Sequence, residues 1–246
     1  MKFKNILFAI TFTCLYANIA NANLLNLDDT SVAGKNNTEI EFRGQYGHTK
    51  QFDIDNNSIG VEFRYGILEN LNLEIGYDRS FGSIFDKDYI GGSAIQIRTK
   101  YKLDYDNFTF SISPRYTYSY NNDNCTGNSA YGLNAVGQYD FKYISVFADA
   151  SYDYIDFYNK LDYNSLEQNT STFGIGSTIP LTYGFSIVNE IVSQTPFFKN
   201  TSSIPTYIGG GLKWNNDKID FGVIAESGLN RSSQDFILRS ALIFKF

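Results

Sequence analysis

Apolar and polar residues alternate along almost the whole chain, in about twelve segments between Glu39 and Phe246. In the first segment, Ile40 and Phe42 alternate with Glu39, Glu41 and Arg43. Successive side chains of a strand point to opposite faces, so a period of two predicts strands and not helices. The alternation predicts an all-β chain in which each strand has one apolar and one polar face.

The last segment, Asp235–Phe246, has an apolar face that ends in a terminal aromatic residue. It resembles the closing strand of bacterial outer-membrane β-barrels, in which the terminal aromatic is part of the signal read by the assembly machinery. By that resemblance, we predict an assembly signal formed by Phe246, Phe244 and Leu242. Taken alone, the segment also fits the terminal strand of a soluble sandwich.

The connections between segments alternate in length, which favours the barrel. Those after even segments are short, such as Leu68–Asn70 and Lys142–Tyr143, and those after odd segments are longer. Short periplasmic turns and longer outer loops are typical of outer-membrane barrels. We predict a single closed antiparallel transmembrane barrel of twelve strands; ten or fourteen are the alternatives.

Segments eight and nine carry the weakest alternation, because Val188 and Val192 have the wrong parity for an apolar outer face. Pro114 lies inside segment five. Proline removes a ladder donor and is found at edges or bulges. A closed barrel has no edge, so a local bulge is expected at Pro114.

The N-terminus has the features of an export signal. Lys2 and Lys4 precede the apolar run Ile6–Ala17, and Ala20-Asn21-Ala22 follows as a cleavage site. This pattern predicts a cleaved signal peptide over residues 1–22, a periplasmic lead-in over 23–35 and the transmembrane barrel over 36–246. The predicted location is the bacterial outer membrane.

Charge and composition exclude several classes of protein. The net charge of −6 argues against nucleic-acid binding, which favours a basic surface. After the predicted signal no apolar stretch approaches 18 residues, so a helical membrane protein is excluded. Cys125 is the only cysteine after residue 22, so no disulfide can form within the mature chain.

No residue set predicts catalysis. The single histidine, His48, has Tyr46 and Lys50 two residues away, so the His-x-Ser spacing of lipid-hydrolysing barrels is absent. We interpret His48 as an exposed residue at the edge of a loop. We predict no catalytic residue, no metal site and no cofactor.

Charged residues on the polar faces are the candidate functional set. Register across the tight Leu68–Asn70 turn places Arg64 opposite Glu74, with Glu41 and Arg98 at similar heights. Two interpretations are open: a plugged interior in which these groups pair, or a narrow water-filled lumen with selectivity. The candidate lumen-lining residues are Glu41, Arg64, Glu74, Arg98, Arg115, Asp149, Asp153, Glu190, Glu226 and Arg239.

Two stretches resemble a known barrel family. Phe63–Glu74 is similar to the "R-Y-G-L-T-D-x-L-E-L" turn of the outer-membrane barrels named after the meta pathway of phenol degradation. Gly209–Gly222, followed by the terminal strand, is similar to the last two hairpins of that family. The resemblance implies an outer-membrane barrel that takes up small, hydrophobic molecules.

Three functions are compatible with these features. The first is a small outer-membrane channel or transporter for small solutes. The second is a structural or surface-interaction barrel with a plugged lumen, contacting host or phage through its outer loops. The third is an embedded enzyme. The predicted partners are outer-membrane lipids including lipopolysaccharide, the barrel assembly machinery and periplasmic chaperones. The solute and the oligomeric state are left open.

Overall fold

Twelve strands form the fold of this computed structural model, which describes residues 30–50, 53–84, 87–120, 127–157, 169–195 and 203–246. The predicted signal peptide and Cys125 lie outside these residues. The strands are β1 Thr38–Thr49, β2 Ile54–Leu68, β3 Leu71–Ile84, β4 Lys87–Tyr105, β5 Phe108–Tyr120, β6 Gly127–Asp140, β7 Ser145–Phe157, β8 Asn169–Pro180, β9 Phe185–Gln194, β10 Thr206–Asn215, β11 Ile219–Gly228 and β12 Phe236–Lys245.

The strands form one closed antiparallel barrel. Each strand pairs with its neighbours in sequence, and β12 closes the barrel by pairing with β1 through ten residue pairs, from Glu39–Lys245 to His48–Phe236. The prediction of twelve strands is therefore confirmed, including the uncertain eighth and ninth. Within the described residues there is no helix long and apolar enough to cross a membrane.

The residues that alternate along each strand form an outer, apolar face and an inner face of the barrel. Outward side chains such as Phe42, Ile59 and Phe173 are 50%, 56% and 60% exposed, whereas the inward Glu41 is 1% exposed. Tyr183 and Phe246 extend this apolar outer surface to the end of the barrel that carries the short turns. An apolar exterior around a polar interior is the arrangement of transmembrane barrels.

The valines with the wrong parity face the interior. Val188 and Val192 on β9 are 1% and 0% exposed, and Val192 packs in an apolar cluster with Val136 and Phe147. The irregular alternation of the ninth segment thus reflects apolar residues on both faces of a genuine strand. Part of the barrel interior is therefore apolar, which the sequence pattern did not predict.

The two ends of the barrel differ in their connections. Even-numbered strands are followed by short turns, such as 69–70 and 106–107. The other end has the longer connections 158–168 and 195–205, but 50–53 and 85–86 are short because β2 and β4 extend to 15 and 19 residues. About 9–11 residues suffice to span a bilayer, so β2 and β4 are long enough to extend past it on this side.

The bulge expected at Pro114 is not observed. Arg98 pairs with Arg115 and Tyr101 pairs with Ile112 in the same register, so no residue is inserted around Pro114. Pro114 itself pairs in register with Leu133 on β6. The strand accommodates the missing N–H of proline without shifting register, and that prediction was wrong. Register shifts occur instead between Gly66 and Leu68 and between Arg79 and Phe81.

Residues 30–37, called here the N-terminal segment, contact the inner face of the barrel. Thr30 is 6% exposed and its hydroxyl donates to Oε1 of Gln138 on β6 at 3.1 Å. The backbone N–H of Ala33 donates to Oδ1 of Asn72 on β3 at 3.2 Å. The segment therefore spans from the wall at β6 to the wall at β3 before it enters β1.

Candidate functional site in the barrel interior

Strands β1 to β4 carry a buried network of ionisable side chains. Glu41 and Glu62 lie directly opposite each other on β1 and β2. Like charges in that position repel, so the pair requires cations nearby. Arg64 supplies one: it binds Glu41 with one terminal nitrogen and donates from Nε to Glu62 at 2.7 Å. Arg98 supplies another, binding Glu74 through Nε and lying 3.6 Å from Glu62.

The predicted alternation on one wall is confirmed for Arg64, Glu74 and Arg98, whereas Glu41 lies one inward position away, opposite Glu62. Arg64 pairs with Glu74 in the β2–β3 ladder, and Glu74 pairs with Arg98 in the β3–β4 ladder. Antiparallel strands joined by a tight turn have a fixed register, which is why this part was predictable. The side-chain contacts connect Arg64 to Glu41 and Arg98 to Glu74.

Sequence reasoning did not include Glu62 and Arg43 among the candidate residues. Glu62 contacts three arginines, including Arg43, whose Nη1 lies 3.4 Å from its Oε2. Both residues have the inward parity of Glu41 and Arg64, and this parity was the available signal. Their importance depends on which side chains meet across strands, which the parity of a single strand does not reveal.

A repeated unit joins an arginine to an aspartate two strands away across an inward glycine. Arg43 on β1 pairs in the ladder with Gly60 on β2, and Gly60 pairs with Asp78 on β3. The guanidinium of Arg43 donates to both carboxylate oxygens of Asp78, at 2.8 and 2.5 Å. A Cβ at Gly60 would collide with Asp78 Oδ1 and lie 2.7 Å from Arg43 Nε. The glycine is therefore required for this two-bond pairing.

The same unit recurs on strands β5, β6 and β7. Arg115 on β5 pairs with Gly132 on β6, which pairs with Asp153 on β7. Arg115 donates to both oxygens of Asp153, at 2.8 and 2.5 Å, and a Cβ at Gly132 would lie 2.8 Å from Arg115 Nε. Two of the candidate residues, Arg115 and Asp153, are thus brought together. We refer to these two units as the arginine–glycine–aspartate clamps.

A third inward glycine separates two acids instead. Gly209 on β10 pairs with Glu190 on β9 and with Glu226 on β11. A Cβ at Gly209 would lie 2.9 Å from Cγ of Glu226 and 3.3 Å from Cγ of Glu190, so the glycine lets the two side chains approach. Glu226 is in contact with Arg239 on β12 at 3.4 Å. This unit therefore places two buried acidic side chains, 3% and 2% exposed, on either side of one glycine.

The remaining candidate, Asp149 on β7, accepts a hydrogen bond from Nδ2 of Asn134 on β6 at 3.1 Å. All ten predicted lumen-lining residues face the interior, and each is less than 10% exposed. They form three groups: the β1–β4 network, the Arg115–Asp153 clamp with the neighbouring Asp149, and the Glu190–Glu226–Arg239 group. The interior thus contains paired charges and not a uniform acidic wall.

Inward side chains in the middle of the barrel are shielded from solvent. Arg98 and Glu74 are 2% exposed, Val136 is 1% and Ile224 is 0% exposed, although they lie on walls far apart around the barrel. Several buried polar atoms have no hydrogen-bond partner, among them Oε1 of Glu41 and Oγ of Ser111. Buried polar groups are normally paired, so these atoms mark a polar interior that the surrounding side chains do not fully satisfy.

The predicted assembly residues lie at the closing seam. Phe246 exchanges backbone hydrogen bonds with Thr38 at 2.9 and 3.1 Å and is 72% exposed. Phe244 packs edge-on against Phe42 of β1 at 6.3 Å between ring centroids. Leu242 pairs with Phe42 in the β1–β12 ladder. These residues are accessible from the outside of the barrel, as recognition by an assembly partner requires.

His48 lies at the end of β1 that carries the longer connections, and its Nδ1 is 2.8 Å from Oδ1 of Asp55. The same carboxylate oxygen accepts a hydrogen bond from the Tyr46 hydroxyl at 2.9 Å, and the other accepts one from Ser83 at 3.4 Å. Ser83 thus binds the carboxylate and not the imidazole, so it is not positioned as a nucleophile activated by His48. In the described part of the chain, no group of three or more His, Cys, Asp and Glu side chains is placed to hold a metal ion.

No protein-family model matches this chain, and neither does any curated protein sequence. Solved structures do match. The COG4313 outer membrane channel from Pseudomonas putida F1 superposes with a TM-score of 0.69 at 12% identity, over 89% of this chain and 98% of that chain. The transport unit of the autotransporter AIDA-I from Escherichia coli gives 0.60 at 13% identity, over 96% of both chains. The NanC porin gives 0.56 at 11% identity, over 84% of this chain and 100% of that chain.

At these identities, the matches show a shared fold. That fold is the closed antiparallel barrel of bacterial outer-membrane proteins, in agreement with the fold predicted from the sequence. The matches do not confirm membership of the family named after the phenol meta pathway.

Proposed function

We propose that this protein is an outer-membrane channel for small solutes and that the solute path runs through the barrel interior. The observation that carries the proposal is the Glu41–Arg64–Glu62–Arg98–Glu74 network at the centre of a barrel with an apolar exterior. Ionisable groups are costly at membrane depth, and where they occur they usually mark solute or ion pathways. An apolar core would close a purely structural barrel at lower cost.

The fold comparisons support this proposal. The COG4313 protein is an outer membrane channel and NanC is a porin, and both superpose over most of this chain. The AIDA-I barrel, which superposes equally well in extent, is a transport unit of an autotransporter. Passage through the barrel is the property that these three descriptions share, and it is the property we propose for this chain.

A second function, a structural or surface-interaction barrel with a plugged lumen, is favoured by one observation. Arg98, Val136 and Ile224 are 2% exposed or less, so the middle of the barrel is filled in this structure. A channel must rearrange these side chains to conduct, whereas a plugged barrel needs no such change. In the second function, the outer connections would carry the contacts with host or phage.

The resemblance at Phe63–Glu74 and Gly209–Gly222 adds a finer proposal about the solute. Barrels named after the phenol meta pathway would imply small, hydrophobic molecules. The apolar cluster of Val136, Phe147 and Val192 inside the barrel supports contact with an apolar part of a solute. Hydrophobic solutes therefore belong among those to be tested.

A recording in a planar bilayer tests the channel proposal. Refolded protein should produce discrete conductance steps, whereas vesicles prepared without protein should produce none. A reversal potential in a salt gradient should then indicate slight cation preference, because acidic side chains slightly outnumber basic ones on the inner face. Protein that inserts fully folded and never conducts, at any voltage, would favour the plugged barrel.

We also propose that assembly depends on the terminal aromatic residue. Changing Phe246 to Ser should lower the amount of folded barrel in the outer membrane while export to the periplasm continues, because Phe246 is exposed at the seam. The measurement is the heat-modifiable fraction on gels of isolated outer membranes. Tyr183, which is 91% exposed at the same end of the barrel, provides the control: Tyr183→Ser should leave assembly unchanged. Equal amounts of folded Phe246→Ser and native protein would contradict the proposal.

A further inference from the structure

The N-terminal segment turns from β1 into the interior at an inward-facing glycine. Asn36 N–H donates to the carbonyl of Gly66 at 2.8 Å, and Gly66 N–H donates to the carbonyl of Asn37 at 3.0 Å. The carbonyl of Gly34 lies directly over Gly66, so closely that a Cβ at Gly66 would collide with it. Gly66 has the same inward parity as Arg64 and is buried. The segment thus passes over the inner face of β2.

The conformation of the segment is specified by its own residues. Gly34 and Asn36 have φ values of 79° and 63°, in the left-handed region that glycine and asparagine tolerate best. Asn37 closes the turn, with its N–H on the Gly34 carbonyl at 3.2 Å and its side-chain amide on the Ala33 carbonyl at 2.9 Å. This is a built turn that directs residues 30–33 across the barrel.

From this turn, the segment continues to the far wall. Asn72 on β3 and Gln138 on β6 hold Ala33 and Thr30, and two strands lie between them. Neighbouring strands are about 4.8 Å apart, so the segment bridges three such spacings along the wall. Ser111 on β5 lies one inward position from Thr109, the ladder partner of Gln138, and it is 0% exposed. Asn72 and Gln138 lie next to short turns, so the segment crosses the interior at that end of the barrel, near Ser111.

We propose that residues 30–37 are a strap that closes the periplasmic side of the barrel interior and is released when the path opens. Hydrogen bonds from Thr30 and Ala33 connect the strap to the wall. Hydrogen bonds to the wall replace hydrogen bonds to water, so each contributes little net free energy. Detaching such a segment therefore costs less free energy than breaking the ion-paired network above it. Its role as a gate rests on the proposed channel function, but its role as a cover does not.

A Gly66→Ala variant tests the strap. The new methyl group requires the space of the Gly34 carbonyl, so the strap should be displaced while the outward surface of β2 is unchanged. The matched control is Gly137→Ala in β6, where a Cβ would meet only the Phe108 ring at 3.5 Å, an ordinary contact. Both variants should first be checked for heat-modifiable folding.

Two measurements distinguish a strap that only covers the interior from one that also gates the path: the rate of thiol labelling and the fraction of time for which the channel is open. In a background with Ser111→Cys and Cys125→Ser, a membrane-impermeant thiol reagent added on the periplasmic side should label Gly66→Ala on the order of tenfold faster than the parent. Gly137→Ala should label at the parent rate. In a planar bilayer, Gly66→Ala should be open for a larger fraction of the time than the parent.

The outcomes are distinct. Faster labelling without any conductance in parent or variant supports the strap and overturns the channel function. Conductance in both proteins with equal labelling and equal open times overturns the strap and leaves the channel. Thr30→Val, which keeps the side-chain shape and removes the hydrogen bond to Gln138, should give a smaller increase in labelling in the same direction. If Gly66→Ala does not fold, an unchanged labelling rate in Thr30→Val overturns the strap.

Discussion

The wall formed by β1–β4 and the wall formed by β7–β11 face each other across the same interior, and their side chains differ. The first contributes long ionised side chains, of which Arg64, Arg98 and Glu74 are 7%, 2% and 2% exposed. The second contributes inward glycines, such as Gly176, Gly209 and Gly211, and the apolar Val188 and Ile224. The arginines of the first wall bind carboxylates of the same wall, whereas the glycines of the second wall lie against its own side chains, such as Glu226 and Ile224, so each wall is packed from within.

The comparison also shows that an inward glycine has different consequences in the two walls. At Gly60 it lets Arg43 reach Asp78, so the unit is neutral and rigid. At Gly209 it makes room for the side chains of Glu190 and Glu226 on the two neighbouring strands, and Arg239 contacts Glu226. We infer that the first wall stabilises the barrel and that the second is the part of the interior whose charge can influence a passing solute.

The largest expected effect comes from removing a cation from the first wall. Arg64→Ala would leave the carboxylates of Glu41 and Glu62 facing each other with one arginine less, and breaking a buried pair in this way costs about 3–5 kcal/mol. The measurement is the free energy of unfolding in urea for protein refolded into vesicles.

Arg79, which is exposed on the outer face of β3, is the control. Arg79→Ala should change the free energy of unfolding by less than about 0.5 kcal/mol, as is usual for surface substitutions. A loss in Arg64→Ala no greater than that in Arg79→Ala would mean that the first wall does not stabilise the barrel.

The next effect concerns a clamp. Gly132→Ala places a methyl group against Asp153 and Arg115, so the two-bond pair must separate. Overpacking of this kind typically costs about 1–3 kcal/mol, and the same unfolding measurement applies. Gly137→Ala, five residues further along β6, has space and should be close to neutral. Similar stability in the two variants would show that the clamp tolerates separation.

Alternation made most of the fold predictable. Inward and outward parity follow from the pleat of a strand, and they are correct for Phe42, Glu41 and the ten candidate lumen residues. The tight turn after β2 also set the Arg64–Glu74 pairing, because register propagates from a short turn. The bulge expected at Pro114 was not predicted correctly. That prediction assumed that a closed barrel cannot tolerate a residue without a backbone N–H donor, whereas the β4–β5 ladder keeps the same register on both sides of Pro114.

Three features of the interior could not be predicted from parity. The Arg43–Asp78 pair joins strands that are not adjacent, so it depends on the absent side chain at Gly60 and on the reach of an arginine. Val192 faces inward because Val136 and Phe147 provide apolar partners from other strands. Residues 30–37 have no periodicity, and their path depends on individual hydrogen bonds such as that from Ala33 to Asn72.

The smallest expected effect is on ion selectivity, and it comes from a change of charge at constant shape, which is the sharpest test of the second wall. Asp149, Asp153, Glu190 and Glu226 changed together to Asn or Gln should move the reversal potential in a salt gradient toward anions, because charges lining a low-dielectric path focus the field on a passing ion. The shift should be larger at 0.1 M salt, where the Debye length is ~10 Å, than at 1 M, where it is ~3 Å.

The control makes the same change in charge at four exposed acids of the short turns and adjoining strand ends. It should shift the reversal potential less, because water screens these residues, which are Glu69, Asp104, Asp106 and Asp217. Heat-modifiable folding must be retained in both variants. A reversal potential that is unmoved by the interior changes, in a protein that still conducts, would place the solute path away from the second wall and would remove the functional distinction between the two walls.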